Sequence, residues 1–336
     1  MALKVAITGF GRIGRCVARI LDERDDIDLV VVNDTADREM TRYLLQYDSV
    51  HGEFGKKVEI LEDDYMQIGD SKVKFLSDRN PENLDFAAYG AEVLLECTGV
   101  FYTQEKSQVY LDKGIKKVLF SAPAKDKETA TFVMGVNEDK YAGEKIVSNA
   151  SCTTNCLGPV VKVLDDAFGI EKGLLTTCHS YTNDQNILDV KHSKDPRRAR
   201  AAAVNMIPTS TGAAKAIALV MPHLKGKLNG QAIRVPTPNV SMIDINVIVK
   251  KDTSKEEVNK AFADAENGYM KGFIAVDYDK RVSSDFIGCE TSAIVAEDLT
   301  QVMDGNMVKV MAWYDNEWGY SCRLIDMAAH IAKEGK

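Results

Sequence analysis

The sequence predicts an α/β protein in two parts, a doubly wound parallel sheet followed by an α+β domain on a largely antiparallel sheet. Three observations predict it. A glycine-rich turn, Gly9-Phe10-Gly11-Arg12-Ile13-Gly14, joins a short apolar run directly to a helix-like stretch, the opening of a Rossmann-like sheet. Short apolar runs then alternate with helix-like segments to about residue 150. Past that point residues 241–249 alternate apolar and polar side chains, as a strand with one solvated face does. At 336 residues the chain exceeds what one hydrophobic core usually organises, so two domains are expected.

Taken in order, residues 4–8 read as a strand, 12–23 as a helix and 28–34 as a second strand. Apolar runs at 93–97, 117–121 and 145–148 extend the sheet, so residues 1–150 are expected to be a dinucleotide-binding domain. In the second part, Ile243, Ile245, Val247 and Val249 share one face of a strand, and runs at 272–276, 291–296 and 307–314 continue an antiparallel sheet. Residues 254–265 read as its covering helix. That defines a catalytic domain over residues 151–316. Residues 321–333 place Leu324, Ile325, Met327, Ala328 and Ile331 on a helix that packs on one of the two domains, and periodicity leaves open which.

Composition excludes several classes. Apolar residues are 45% and charged residues 27%, the mixture of a folded globular chain. The 42 basic and 50 acidic residues give a net charge of -8, which argues against a primary nucleic-acid role and against attraction to an acidic membrane. No apolar stretch is long enough to span a bilayer, and the chain enters its first strand without a leader, so a cytoplasmic location is expected. Seven cysteines without a Cys-x-x-Cys pair predict free thiols, and the five histidines lack ligand spacing, so no metal is expected.

The glycine turn places backbone N–H groups at a helix start, where they can cradle a pyrophosphate; the alternative is an ordinary turn. Asp34 follows Gly14 by 20 residues, where a carboxylate would bond an adenosine ribose and repel a 2′-phosphate. NAD is therefore expected over NADP. Ser148-Asn149-Ala150-Ser151-Cys152-Thr153-Thr154-Asn155-Cys156 sets Cys152 before a helix-like stretch, whose positive end is expected to lower the thiol pKa. The competing reading is a small buried thiol, which suits Cys156 better. His179 ends a strand-like run, from which an imidazole can act as base; a structural histidine is the other reading. Three guanidiniums at Arg197, Arg198 and Arg200, with Arg234 beyond, point to a phosphorylated substrate or else to a solvated basic loop. Thr182, Thr209, Ser210 and Thr211 add hydroxyls, and Gly212 allows close approach of an anion.

These blocks, together with Trp313-Tyr314-Asp315-Asn316-Glu317-Trp318-Gly319-Tyr320, resemble the glyceraldehyde-3-phosphate dehydrogenase family over essentially the whole chain. The resemblance implies that Cys152, its thiol activated by His179, attacks an aldehyde, and that a thiohemiacetal becomes a thioester cleaved by inorganic phosphate. It implies further that Thr182, Arg197 and Arg234 hold the phosphate of glyceraldehyde 3-phosphate, while Ser151, Thr153, Thr211 and Gly212 hold the attacking phosphate. Arg12, Ile13, Asp34, Arg79 and Ser121 match cofactor contacts; Asn316 and Tyr320 match positions at the nicotinamide. It implies a homotetramer too, with residues 317–336 returning to the first domain. Thr35 and Lys191 depart from strictly NAD-dependent members, so NAD preference is expected with NADP use open. The rivals are an erythrose-4-phosphate dehydrogenase, disfavoured by the Tyr-Thr-Asn-Asp and Pro-Thr-Ser-Thr-Gly segments, and a non-catalytic cofactor-sensing regulator, disfavoured by intact Cys152, His179 and Asn316.

Overall fold

A computed structural model gives the structure, and it describes residues 2–193 and 195–333. The last three positions of the predicted 317–336 segment lie outside the described residues. The chain divides into two units: residues up to Ser151 together with those from Ser321, and Cys152–Tyr320.

In the first unit, β-branched and apolar runs become β1 (Leu3–Thr8), β2 (Ile27–Asn33), the short pair β3 (Tyr47–Asp48) and β4 (Gly52–Glu53), then β5 (Val58–Ile60), β6 (Tyr65–Ile68), β7 (Ser71–Leu76), β8 (Val93–Glu96), β9 (Lys117–Phe120), β10 (Ala130–Thr131) and β11 (Ile146–Ser148). Helices α1 (Arg12–Leu21), α2 (Arg38–Gln46) and α3 (Gln104–Asp112) connect them. The main sheet runs β10-β11-β9-β8-β1-β2-β7-β6-β5. From β10 to β7 every pairing is parallel, and β8 and β9 are buried along their whole length, as strands covered on both faces must be. Chain order reverses between β1 and β8, so the carboxyl ends of those two strands open a crevice.

The sheet is not wholly parallel. Strands β5, β6 and β7 form an antiparallel edge, turned between Ile68 and Ser71 by Gly69-Asp70, with Gly69 at φ 53°. The core between β8, β9 and α3 gathers Leu94, Val118, Phe120 and Tyr110. Lys117, buried at the start of β9, hands its ammonium to the Tyr141 hydroxyl at 2.5 Å and the Gly143 carbonyl at 2.9 Å.

The last helix, α7 (Trp318–Lys333), starts three residues before the periodicity suggested. The reason is Asp315, whose carboxylate accepts the N–H groups of Glu317 at 2.9 Å and Trp318 at 2.8 Å. From Ser321 onward it packs in the first unit, where Arg24 pairs with Asp326 at 3.0 Å and the His330 ring meets the Glu138 carbonyl at 2.9 Å.

The second unit opens with α4 (Cys152–Phe168) and the long β12 (Ile170–Ser180). It continues through β13 (Ile207–Ser210), α5 (Ala213–Val220), β14 (Leu228–Val235), β15 (Ser241–Val249), α6 (Lys255–Asn267), β16 (Ile274–Asp277), β17 (Ala293–Ala296), β18 (Gln301–Met303) and β19 (Met307–Tyr314). Its sheet runs β13-β14-β12-β15-β19-β17-β16, antiparallel except at β12 with β14 and β16 with β17. Burial along β15 alternates strictly, with Ile243, Ile245, Val247 and Val249 inward against α4. A capping box formed by Ser254 and Glu257 starts α6.

Candidate active site

Cys152 is the first residue of α4, preceded by the fully buried Ala150 at φ 56°. A left-handed alanine is strained, and the cost is borne where the chain must turn sharply into the helix. The sulfur lies 3.5 Å from His179 Nε2. His179 comes from β12, whose register with β14 sets it opposite Arg234.

The imidazole tautomer follows from its other side. Nδ1 is 2.7 Å from the Ser180 carbonyl, and Arg234 Nη1 is 2.9 Å from that same oxygen and from Nδ1. The carbonyl oxygen only accepts, so at 2.7 Å it requires the hydrogen on Nδ1; in that tautomer Nδ1 offers Arg234 no lone pair, and the guanidinium donates to the same carbonyl instead. Nε2 is then unprotonated and faces the thiol. Burial, reinforced by Arg234 and then Arg198, holds the imidazole down to about 3, so it is a neutral acceptor at neutral pH.

The thiol departs from expectation. Burial pushes Cys152 above the ordinary thiol value, and Arg234 and the hydrogen bonds from Thr153 pull it back only in part. The helix end is present as read from sequence, but desolvation wins. The resting pair is a thiol beside a neutral imidazole, and ionisation is deferred until the proton moves between them. Cys156 has no exposed surface and its thiol is pushed well up by burial, in keeping with an inert packed role.

Three side chains that sequence reasoning missed fix this pair. The buried Tyr314 hydroxyl bonds Thr153 Oγ1 and Thr177 Oγ1, each at 2.9 Å, and its ring meets the His179 ring edge-on at 6.0 Å. Ser180 donates its hydroxyl to the Val240 carbonyl at 2.8 Å, and its N–H to Ser241 Oγ at 3.0 Å. Ser241 in turn donates to Asn316 Oδ1 at 2.7 Å, which orients the Asn316 amide with its NH2 directed elsewhere. Val240, at φ 66°, is a β-branched residue in a left-handed conformation, a second strained position in contact with the site.

Arg234 is partly buried, with its Nε buried and unbonded, and among the described residues it makes no ion pair. A guanidinium with a buried, unbonded nitrogen and no carboxylate is a place for an anion. Its charged neighbour is Arg198. Arg198 donates to Thr209 Oγ1 at 2.9 Å and pairs with Asp184, and its charge is felt at both His179 and Arg234. The Arg197 side chain is exposed; the bond it makes to Asp195, at 2.9 Å, is through its backbone. Thr182 and Ser151 are half-buried, while Thr211 accepts from Ala213 N–H at 3.2 Å and Gly212 caps α5. The remaining histidines hold ordinary partners, His223 with Asp165 and His192 with Asp184 among them.

The first unit holds a cavity of about 520 Å³ at the reversal point, lined by Gly9, Gly11, Asp34, Thr35, Arg79, Cys97 and Thr98 among others. A Cβ on Gly9, at φ 85°, would lie 2.6 Å from Thr98 N; one on Gly14 would lie 2.5 Å from the Gly9 carbonyl. Only glycine allows this packing. Asp34 is pinned by Phe10 N–H at 2.6 Å and Ala36 N–H at 2.8 Å. The donor set and fixed carboxylate suit a dinucleotide. Arg12, Ile13, Gly14 and Ser121 do not line the cavity: Arg12 pairs with Asp48, and the Ser121 hydroxyl meets that of Tyr102 at 3.0 Å.

Comparison with known proteins agrees with this anatomy. A family model described as the NAD binding domain of glyceraldehyde 3-phosphate dehydrogenase matches residues 3–104, and one for its C-terminal domain matches residues 151–316. Glyceraldehyde-3-phosphate dehydrogenase 2 of a Nostoc species is 53% identical over 337 aligned positions, covering 99% of both chains. Glyceraldehyde-3-phosphate dehydrogenase 1 of Bacillus subtilis and the Geobacillus stearothermophilus enzyme are each 50% identical, covering 100% of both chains.

Proposed function

The chain belongs to the glyceraldehyde-3-phosphate dehydrogenase family, and from that premise we propose that it carries out NAD-dependent oxidative phosphorylation of D-glyceraldehyde 3-phosphate to 1,3-bisphosphoglycerate. One observation carries the assignment of roles: the Cys152 sulfur 3.5 Å from an imidazole nitrogen whose lone pair is freed by the Ser180 carbonyl.

As Cys152 Sγ attacks the aldehyde carbon, its proton moves to His179 Nε2 and the carbonyl π bond opens onto oxygen. His179 returns the proton to that oxygen, giving a neutral thiohemiacetal. Bound NAD supplies the acceptor for the hydrogen on carbon with its electron pair. At that point His179 takes the hydroxyl proton, so a C=O bond reforms as a thioester. A phosphate oxygen then attacks the thioester carbon, and the departing thiolate recovers its proton from His179. Thr182, Arg198 and Arg234 hold the substrate phosphate. Ser151, Thr153, Thr211 and Gly212 hold the attacking phosphate, Thr153 while bonded to Tyr314.

Gly9, Gly11, Asp34 and Arg79 hold NAD in the first unit, and Asn316 and Tyr320 serve the nicotinamide. Asp34, fixed by two backbone N–H groups, disfavours a 2′-phosphate, while Thr35 and Lys191 leave NADP usable. In domain terms, residues 1–150 bind the dinucleotide, 151–316 carry the chemistry and 317–336 return to the first domain. The working form is a homotetramer in the cytoplasm. Exposed Ile187, Leu188, Val204 and Met206 support assembly, and among the described residues no helix is long and apolar enough to cross a membrane.

The test is NADH formation from glyceraldehyde 3-phosphate with and without inorganic phosphate. Turnover should require phosphate, and NAD should have the higher specificity constant. Preference for erythrose 4-phosphate, or no turnover, would overturn the reading.

A further inference from the structure

Glu96 ends β8 with no exposed surface, one residue behind Cys97 and Thr98 in the cavity wall. Its Oε1 accepts the Thr98 N–H at 2.7 Å and the Thr98 hydroxyl at 2.5 Å, and that hydroxyl accepts Val100 N–H at 3.1 Å. The peptide held in this way is the one on which Gly9 rests. One carboxylate therefore fixes both the wall and, through it, the phosphate-cradling turn.

The surroundings hold little that neutralises it. Strand β1 presents Thr8 and β9 presents Phe120 beside Glu96 in register, neither ionisable. Helix α3 presents the Tyr110 hydroxyl 3.5 Å from Oε2; Cys97 and Tyr102 nearby are kept neutral by burial. Lys125 is the cation whose charge reaches it, and that ammonium bonds the Gly99 carbonyl from an exposed position. Among the described residues Glu96 makes no ion pair. Burial accordingly raises its carboxyl to about 7.

We propose that Glu96 is a positioning residue of the cofactor cavity whose proton is coupled to dinucleotide binding: the carboxyl takes up a proton as an anionic pyrophosphate enters beside the turn it supports. This rests on the NAD reading given above. The added negative charge disfavours the carboxylate, so the bound form ionises at higher pH than the free form. Affinity is then strongest below the free-form pKa and falls as pH rises through the window between the two, about tenfold for each unit of separation.

Calorimetric titration of the full-length protein with NAD, at pH 7 in two buffers of different ionisation enthalpy, reads the proton directly. We expect uptake of about half a proton per site and a Kd about tenfold weaker at pH 8.5 than at pH 6. Both should vanish in Glu96→Gln, whose amide oxygen still accepts from Thr98. Tyr110→Phe removes a hydroxyl that favours the carboxylate and should move the window to higher pH. No uptake in the wild type, an unchanged slope in Glu96→Gln, or an unmoved window in Tyr110→Phe would overturn the coupling. Absence of any NAD binding heat would instead overturn the cofactor reading, and the coupling with it.

Discussion

At the scale of single residues the site works by keeping charge off until it is needed. Cys152→Ser should lose oxidation below detection while NAD still binds, because a hydroxyl next to a neutral imidazole ionises far less readily than a thiol; turnover within tenfold of wild type would name the wrong nucleophile. His179→Gln should cost about 10²- to 10⁴-fold in kcat. Since burial holds the thiol up, its residual rate should climb about tenfold per pH unit below the thiol pKa, and a flat profile would contradict that order of events. The same imidazole shapes acid stability. Its folded pKa of about 3 lies below the unfolded 6.5, so the unfolded chain binds more protons between those values. The neutral form is fully accommodated above pH 6.5, and stability falls as pH drops through that window, by up to about 5 kcal/mol. Urea titrations of wild type and His179→Gln at pH 7.5 and 4.5 should show a smaller loss in the variant. Cys152 and His179 were legible in sequence because each stands where a polar run meets a predicted element. Their pKa directions were not, since burial depends on what the other strands bring in.

At the scale of elements, placement comes from register. His179 and Arg234 are neighbours because β12 and β14 pair in parallel from Gly173↔Leu228 to Ser180↔Val235. That partnership crosses 55 residues, a separation no local pattern encodes. The choice between Arg197 and Arg198 is hidden from sequence for the same reason: two adjacent arginines look alike until a fold shows that Arg198 reaches Thr209 and Asp184. Arg198→Ala should raise KM for glyceraldehyde 3-phosphate at least tenfold, whereas Arg197→Ala should leave it within about twofold, a charged hydrogen bond being worth about 1.5–3 kcal/mol. Steady-state kinetics on the pair decides, and a reversed order would restore Arg197. Tyr314 ties α4, β12 and β19 through two threonine hydroxyls, so Tyr314→Phe should destabilise by about 1–3 kcal/mol and lower kcat. The antiparallel edge from β5 to β7 went unread in a sheet expected to be parallel, although Gly69-Asp70 between two alternating runs is a hairpin signal.

At the scale of the whole molecule, the two sheet types follow from what each unit must cover. The parallel strands β8 and β9 are buried on both faces and were found as largely apolar runs; β15 alternates and leaves one face wet. That wet face is not wholly polar. Leu174 is 67% exposed, and Met303 and Met307 are exposed on neighbouring strands, while Ile187 and Leu188 stand 83% and 75% exposed in the segment before Arg197. Burying a leucine or isoleucine side chain is worth about 1.5–3 kcal/mol, so leaving several in water is a poor solution for a lone chain. A net charge of -8 keeps copies soluble without preventing association through such patches. Light scattering coupled to gel filtration should therefore give four times the chain mass for wild type. Ile187→Asp with Leu188→Asp should shift it to smaller species, because a carboxylate buried at an interface without a partner costs several kcal/mol per copy. A wild-type monomer, or a double variant with unchanged mass, would show that these side chains do not hold copies together. Asp34 and Gly9 lie in the other unit, so NAD affinity per chain should change less than assembly does.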